Sequence, residues 1–316
     1  MKTTPTKLIE LEEYVPINGI RQYLFHSGTS YENPVMLFLH GGPGSPASLF
    51  AHVFQDRWED LFTVVHWDQR GAGKTLTKNP HSYPTVDLLI EDLLEIIQYL
   101  KQRYQREKIV ILGHSWGSVL GSVFIKHHPD AVEYYIGVGQ VISKRESERL
   151  NYARVREAIL QANDTNALKK LDALGEYPGQ ELDDEWLKKS LRLRTLQGKF
   201  HLTVKSKVSP FKIIRTSPLF KFSDLTALVK GSKANRTLVD FLGKFDLNAE
   251  PADYEVPIYY IIGEDDWQTP AALAQDYFTR IHAPFKKFFL MPHAGHMAMV
   301  DQPAQFFDIL SEMRTR

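Results

Sequence analysis

The 316-residue chain has no cysteine, no excess of charge of either sign and no long apolar run. Without thiols it forms no disulfide, no thiolate metal site and no cysteine nucleophile, which fits a reducing compartment. Its 38 lysines and arginines balance its 38 aspartates and glutamates. Such a balance lacks the electrostatic footprint of a protein that binds DNA, RNA or an anionic membrane.

The most apolar segments, residues 35–39 and 109–112, have the length of buried strands and are far too short to span a bilayer. Residues 1–14 contain two lysines but no apolar stretch of the kind found in a signal peptide. We therefore expect a cytoplasmic protein. The composition, 43% hydrophobic and 24% charged, is typical of a globular chain and excludes a disordered or fibrous one.

Short apolar runs alternate with helical patterns over the first 138 residues and again after residue 250. Strands are predicted at residues 8–15, 20–27, 35–39, 62–67, 109–112, 134–138, 257–262 and 287–291. Helices are predicted at residues 85–104, 116–127, 271–281 and 303–313. This alternation predicts an α/β fold, in which a mostly parallel sheet has helices on both faces. An Asn18-Gly19 turn adds an antiparallel hairpin at one edge. Residues 140–250 are highly charged and helix-like, so we interpret them as an insertion.

Residues 113–117 read Gly-His-Ser-Trp-Gly and lie between a predicted strand and a predicted helix. A G-x-S-x-G in that position is typical of a nucleophile elbow, with Ser115 exposed at a strained turn. The flanking glycines let the neighbouring backbone pass closely, and the helix N-terminus directs free N–H groups at the reacting atoms. Chance occurrence in a loop is the alternative, but it seldom comes with a buried strand before it and a helix after it.

A serine hydroxyl needs a base, and in hydrolases of this kind the acid and then the histidine follow the serine along the chain. Asp265 and Asp266 follow one late strand, and His293 and His296 follow the next. The residues alone leave open which aspartate and which histidine would act. A metal site at His293 and His296 is a weaker alternative, because no third ligand has a clear spacing.

A glycine-rich loop, His40-Gly41-Gly42-Pro43-Gly44, follows the third predicted strand. Such a loop can direct a backbone N–H at the oxyanion that forms when an acyl group is attacked, and the residue after the nucleophile, Trp116, supplies a second N–H. A simple tight turn would also explain the glycines and the proline. The coincidence with Ser115 favours the oxyanion hole.

These motifs together resemble those of the proline iminopeptidase family of α/β-hydrolases, over residues 20–140 and 255–310. The resemblance rests on five segments: residues 40–44, Asp-Gln-Arg-Gly-Ala-Gly at 68–73, Gly-His-Ser-Trp-Gly-Ser at 113–118, the spacing of Gly263, Asp266 and Pro270, and Gly295-His296. It implies an α/β-hydrolase core at residues 1–139 and 251–316 with a helical cap domain at residues 140–250.

The same resemblance implies a catalytic triad of Ser115, Asp266 and His296, and an oxyanion hole of Gly42 and Trp116. The supporting residues that it implies are His40, Gly41, Asp68 and Arg70. The last two belong to a segment that braces the glycine-rich loop through a hydrogen-bonded ion pair.

Prolyl peptidases of that family bind the substrate α-ammonium through glutamates of the cap. The acidic residues of the corresponding region here are Glu146, Glu148, Glu176 and Glu185. We expect a cofactor-free and metal-free serine hydrolase that releases an N-terminal residue, preferably proline, from short peptides or arylamides. The alternatives are hydrolysis of a small ester or lactone by the same triad, and a non-catalytic binding protein on the hydrolase fold. The oligomeric state stays open.

Overall fold

The computed structural model of this chain describes residues 8–314 except residues 56, 180–183, 201 and 203–209. Within this part of the chain, eight strands form one sheet in the order β1-β2-β4-β3-β5-β6-β7-β8. The strands are β1 Ile9–Ile17, β2 Ile20–Gly28, β3 Val35–Leu39, β4 Thr63–Asp68, β5 Ile109–His114, β6 Val132–Val138, β7 Ile258–Gly263 and β8 Lys286–Met291. Strands β1 and β2 pair with each other, and β2 with β4, in antiparallel fashion; the remaining pairs are parallel.

The helices follow the strands in alternation, with a block of helices between β6 and β7. They are α1 Ala51–Phe54, α2 Gly73–Lys78, α3 Val86–Tyr104, α4 Trp116–His127, α5 Lys144–Gln161, α6 Thr165–Asp172, α7 Asp184–Lys199, α8 Pro210–Thr216, α9 Asp224–Ala234, α10 Arg236–Lys244, α11 Ala271–Arg280, α12 Ala298–Asp301 and α13 Pro303–Arg314. No helix of the described residues is long and apolar enough to cross a membrane.

Both faces of the sheet are covered, as the near-continuous apolar strands require. In β3, the odd-numbered Leu37 packs in a cluster with α3 and α4, while the even-numbered Phe38 packs in another cluster with α1, α12 and α13. Successive side chains of a strand point to opposite faces, so a strand with all five residues buried needs helices on both sides. The predicted α/β-hydrolase architecture is confirmed, including the antiparallel hairpin at the edge.

The predicted elements recur with shifts of one or two residues at most of their ends. Helix α3 begins after Thr85, whose hydroxyl accepts a hydrogen bond from the N–H of Leu88, and it ends at the left-handed Gln105. Such caps satisfy backbone groups that a helix terminus leaves without partners. The short helices α1, α2 and α12 were not predicted, because four to six residues contain too few turns to show a period.

Residues 140–250 contain α5 to α10 and include an apolar cluster of their own, formed mainly by α5, α6 and α7. This inserted segment meets the sheet-bearing part of the chain at α9, where buried Asp224 forms an ion pair with buried Lys74 of α2. A second contact lies at Asn235, whose side-chain amide donates a 2.7 Å hydrogen bond to the carbonyl of Gly71. The insertion therefore lies against the loops at the carboxyl ends of the central strands.

Candidate active site

Ser115 occupies a tight turn between β5 and α4, with φ of 54° and ψ of −117°. The turn brings backbone atoms unusually close: a Cβ on Gly117 would lie 1.9 Å from the carbonyl oxygen of Leu39, and one on Gly113 would lie 2.5 Å from that of Gly117. Only glycine is compatible with such approaches. The turn that exposes Ser115 therefore requires glycine at positions 113 and 117.

Asp266 and His296 are in contact at the ends of β7 and β8. The imidazole Nδ1–H of His296 donates to Oδ2 of Asp266 over 2.9 Å, because a carboxylate can only accept. The hydroxyl of Thr269 donates to the same oxygen, and the backbone N–H groups of Gln268 and Thr269 both donate to Oδ1. Burial alone would raise the pKa of Asp266, but His296 and these hydrogen bonds lower it below its ordinary value.

Of the two candidate histidines, His296 is buried and His293 is exposed. The ring of His296 packs 5.0 Å from the ring of His114, and Nε2–H of His114 donates to the carbonyl oxygen of His296 over 3.0 Å. Burial and the neighbouring His296 lower the pKa of His114 to about 3, which keeps it neutral. His114 therefore positions the backbone of His296 without adding charge. The motif G-x-S-x-G leaves position 114 unspecified, so the sequence gives no signal for this role.

The glycine-rich loop is held against the elbow by Gln69, a second residue whose role was missed. Its backbone N–H donates to Nε2 of His40, and its side chain donates to the carbonyl oxygen of His40 and accepts from the indole N–H of Trp116. A Cβ on Gly41 would lie 3.2 Å from Cβ of Ser115. Gln69 thus ties together the two segments, residues 40–44 and the start of α4, that contain the predicted oxyanion donors.

His40 has a defined tautomer in this arrangement. Its Nδ1–H donates to the carbonyl oxygen of Gly41 over 2.8 Å, so Nε2 accepts from Gln69. Burial lowers the pKa of His40 to about 4. A neutral His40 fits the supporting role expected from the sequence.

Arg70 and Asp68 have different partners. The guanidinium of Arg70 forms a two-point ion pair with Asp92 of α3, at 2.8 and 2.9 Å. Asp68 instead accepts from the hydroxyl of Ser48 and from the backbone N–H of Lys74. Burial raises the pKa of Asp68 to about 6. The expectation that an ion pair of this segment braces the glycine-rich loop is therefore wrong: Arg70 pairs with Asp92 of α3, which the sequence did not indicate, and the hydrogen bonds to His40 come from Gln69.

Two cavities meet at Ser115. One, of about 150 Å³, is bordered on the side of the inserted segment by Lys144, Ser147 and Arg194. The other, of about 340 Å³, is mainly apolar, with walls that include Phe38, Phe50, Phe54, Met297 and Met299. The residues shared by both are Gly42, Ser115, Gln268 and His296. The junction of the cavities thus brings together the predicted nucleophile, base and one oxyanion donor.

The four glutamates suggested for amine binding lie in different surroundings. Glu176 and Glu185 are exposed and Glu146 is half-buried; Glu146 and Glu185 form ion pairs with Arg149 and Lys189. Glu148 is fully buried beside the smaller cavity, where it binds Lys144, Arg194 and the hydroxyl of Tyr177. Burial would raise the pKa of Glu148, but Lys144 and Arg194 lower it to about 2. Glu148 thus contacts two residues that line the cavity, Lys144 and Arg194.

The histidine and aspartate side chains near this junction are hydrogen-bonded within the protein. Across residues 8–314, apart from the gaps given above, no group of three or more histidine, aspartate or glutamate side chains is arranged to hold a metal ion.

Comparison with known proteins adds the family. A model described as Hydrolase_4, serine aminopeptidase, S33, matches residues 32–303. The chain is similar to a "probable aminopeptidase YbaC" of Bacillus subtilis (strain 168), at 28% identity over 96% of each chain. It is also similar to a proline iminopeptidase of Lactobacillus delbrueckii subsp. bulgaricus, at 22% identity over 95% of this chain and 96% of that protein.

The fold agrees with the similarity to these aminopeptidases. The structure resembles that of a proline iminopeptidase-related protein from Thermus thermophilus, with a TM-score of 0.66 at 23% identity, over 96% of this chain and 97% of that one. Because the family model spans most of the sequence, the chain belongs to the serine aminopeptidase S33 family of α/β-hydrolases.

Proposed function

We propose that this chain is a serine hydrolase that cleaves a small acyl substrate through an acyl-enzyme, with Ser115 as nucleophile. His296 takes the proton of the serine hydroxyl and returns it to the leaving group, while Asp266 holds the imidazole with Nδ1 protonated. Backbone N–H groups of Gly42 and Trp116 stabilise the oxyanion, and water then releases the acyl group. Residues 140–250 act as the cap that closes over this site.

One observation supports this proposal above the others. Ser115, held at a strained turn, lines the same cavity as His296, and Nδ1 of His296 is hydrogen-bonded to the fully buried carboxylate of Asp266. Because Nδ1 donates to Asp266, Nε2 is the nitrogen left to accept a proton. A binding protein on this fold would need neither the strain nor the buried ion.

For the substrate, we propose an N-terminal residue, preferably proline, released from a short peptide or arylamide. The family description and the two named relatives support an aminopeptidase. A second candidate, a small ester, is favoured by a specific observation: Glu148, which lies beside the cavity, already binds two cations and a phenol. An ester has no ammonium group and needs no such carboxylate.

The nucleophile is tested with Ser115→Ala and a fluorophosphonate probe. Wild type should be labelled at Ser115, and the variant should lose both labelling and hydrolysis while it keeps its unfolding temperature. Ser122→Ala is the matched control, because Ser122 is a buried serine of α4, the helix that follows Ser115, and lies outside both cavities. Labelling at another residue, or an active Ser115→Ala variant, would overturn the triad; a wild type without labelling or turnover would support the binding protein.

The substrate class is tested by comparing kcat/KM for proline 4-nitroanilide, its N-acetylated form and a neutral 4-nitrophenyl ester. An aminopeptidase should prefer the free amine strongly over the acetylated form. Equal turnover of the two arylamides, together with efficient cleavage of the ester, would replace the peptidase with the esterase.

A further inference from the structure

The smaller cavity beside Ser115 has a positively charged wall. Its lining residues with a fixed charge are Lys144, the first residue of α5, and Arg194 of α7. Their side chains are only 14% and 24% exposed, so solvent screens their charges weakly. Cations at this depth normally require anionic partners, because burial of an unpaired charge is costly.

The anion available to this pair is Glu148, and both cations use the same oxygen of it. Lys144 and Arg194 each donate to Oε1 of Glu148, while the hydroxyl of Tyr177 donates to Oε2. Three donors on one buried carboxylate leave it little capacity to receive a substrate ammonium. An amine entering here would have to displace a lysine or an arginine from Glu148 and would meet the displaced cation.

The two cations are correspondingly short of negative charge. Burial lowers the pKa of Lys144, and Arg194 lowers it further, against the opposing effect of Glu148. Asp266, a carboxylate near the cavity, accepts four hydrogen bonds, one of them from His296, and none from Lys144 or Arg194. Among the described residues, Lys144 and Arg194 thus contribute two positive charges and Glu148 one negative charge, and a carboxylate of the substrate would restore the balance.

We propose that Lys144 and Arg194 form a subsite for a carboxylate of the substrate, so that this hydrolase acts on acidic rather than cationic compounds. The inference rests on the proposed serine hydrolase chemistry at Ser115. For the substrate it follows the second candidate above, a compound without an N-terminal ammonium, and would replace the aminopeptidase substrate. Arginine suits the role because its guanidinium offers two parallel donors to a carboxylate. The N-terminal end of α5 adds the positive end of a helix dipole at Lys144 and Ser147, both of which line the cavity.

The carboxylate could belong to the acyl group or to the leaving group, since both cavities open at Ser115. With the carboxylate on the acyl group, the substrate is a monoester or monoamide of a dicarboxylic acid and its apolar leaving group lies against Phe38 and Met297. With the carboxylate on the leaving group, the substrate is an N-acylated amino acid or an acylated hydroxy acid. In both cases the ionised group lies on the Lys144 side and the apolar group in the larger cavity.

Two matched substrate pairs separate these sources. For the acyl arm, kcat/KM is compared for 4-nitrophenyl hydrogen succinate and 4-nitrophenyl methyl succinate, each corrected for its spontaneous hydrolysis. For the leaving-group arm, the pair is the acetate ester of 4-hydroxybenzoate and that of 4-hydroxybenzamide. We expect wild type to prefer the acid over its neutral partner in one pair by about tenfold or more, the worth of one charged hydrogen bond.

Variants assign the preference to the cation pair. Arg194→Gln should lower the acid-to-neutral ratio about tenfold, while Glu148→Gln, which keeps both cations and removes their anion, should raise it. Opposite effects of these two substitutions distinguish electrostatics from damage to the cap. Arg194→Lys should retain part of the preference if Arg194→Gln proves unstable. The matched control is Arg192→Gln, an exposed arginine of the same helix, which should leave the ratio unchanged.

The outcomes separate this inference from the proposed function. If Ser115 is labelled and neutral esters are hydrolysed, but neither acid is preferred, the carboxylate subsite is wrong and the serine hydrolase stands. A ratio that falls equally in Arg192→Gln and Arg194→Gln, or a Glu148→Gln variant that loses turnover of free amines alone, would also overturn the subsite. If wild type hydrolyses nothing and Ser115 is not labelled, the proposed function itself fails.

Discussion

Replacing Asp266 by asparagine should abolish turnover through the tautomer of His296 rather than through misfolding. The two oxygens of Asp266 are not equivalent: Oδ1 accepts from two backbone N–H groups, both at 2.9 Å, while Oδ2 faces His296 and the hydroxyl of Thr269. Backbone donors cannot turn away, so the oxygen of asparagine must stay at Oδ1. Its NH2 group must then point at His296.

That orientation reverses the hydrogen bond. The asparagine NH2 donates to Nδ1 of His296, which places the imidazole proton on Nε2 and leaves no nitrogen to accept the proton of Ser115. In a serine-histidine-aspartate triad this change costs on the order of 10⁴ in kcat. The fold should be little affected, because the asparagine keeps the backbone contacts, and the hydroxyl of Thr269 can turn to accept from the NH2 group.

The assay is kcat for the best ester or arylamide, together with the rate of fluorophosphonate labelling and the unfolding temperature. Asp265→Asn is the matched control, since it makes the same chemical change one residue earlier at a side chain that is only partly buried. We expect Asp265→Asn to cost far less. A loss of similar size in both variants, or a larger loss at Asp265, would refute the assignment of Asp266.

Two further predictions concern the surroundings of the triad. Gly139→Ala should lower kcat about 10- to 100-fold, because the added Cβ would lie 3.1 Å from Nδ1 of His296 on a residue with a φ of 53°. The control is Gly198→Ala, where the added Cβ meets open space. Equal effects of the two substitutions on kcat would contradict the steric argument. The free energy of unfolding should fall by about 3 kcal/mol per pH unit as the pH is lowered from 6 to 4. Burial lowers the pKa values of His40, His66 and His114 to about 4, 3 and 3, so these histidines stay largely neutral in the fold but protonate when the chain unfolds. The raised pKa of Asp68 offsets part of this loss of stability. A denaturation midpoint that stays constant between pH 6 and pH 4 would contradict this prediction.

Much of the site was predictable because parallel strands end at one edge of a sheet. Ser115 follows β5, Asp266 follows β7 and His296 follows β8, so residues up to 181 positions apart converge without any knowledge of side-chain packing. The local motif was sufficient to predict the elbow as well, although its glycines meet different constraints: Gly113 faces the backbone of Gly117, four residues on, whereas Gly117 faces the carbonyl of Leu39 in the neighbouring strand β3. What the residues alone left open, Asp265 against Asp266 and His293 against His296, depends on how each loop turns after its strand.

The residues that sequence analysis missed act across longer distances and through packing. Gln69 joins residues 40 and 116, and Asp92 reaches Arg70 from a helix that follows β4. Neither the glutamine that follows β4 nor the aspartate within α3 has a sequence pattern that indicates such a contact. Helical periodicity predicts that a face is buried, but it does not show which polar side chain of that face finds which partner.

The inserted segment shows the same limit for charge. The family resemblance makes Glu148 one of four candidates to bind a substrate ammonium, because the sequence shows the charge of Glu148 but not its partners. Its oxygens are occupied by Lys144, Arg194 and Tyr177, which come from three different elements of the segment. An ammonium would compete with those donors, whereas a carboxylate would add an acceptor to two buried cations. The charge that a cavity offers to a substrate is therefore what remains after its own side chains have paired.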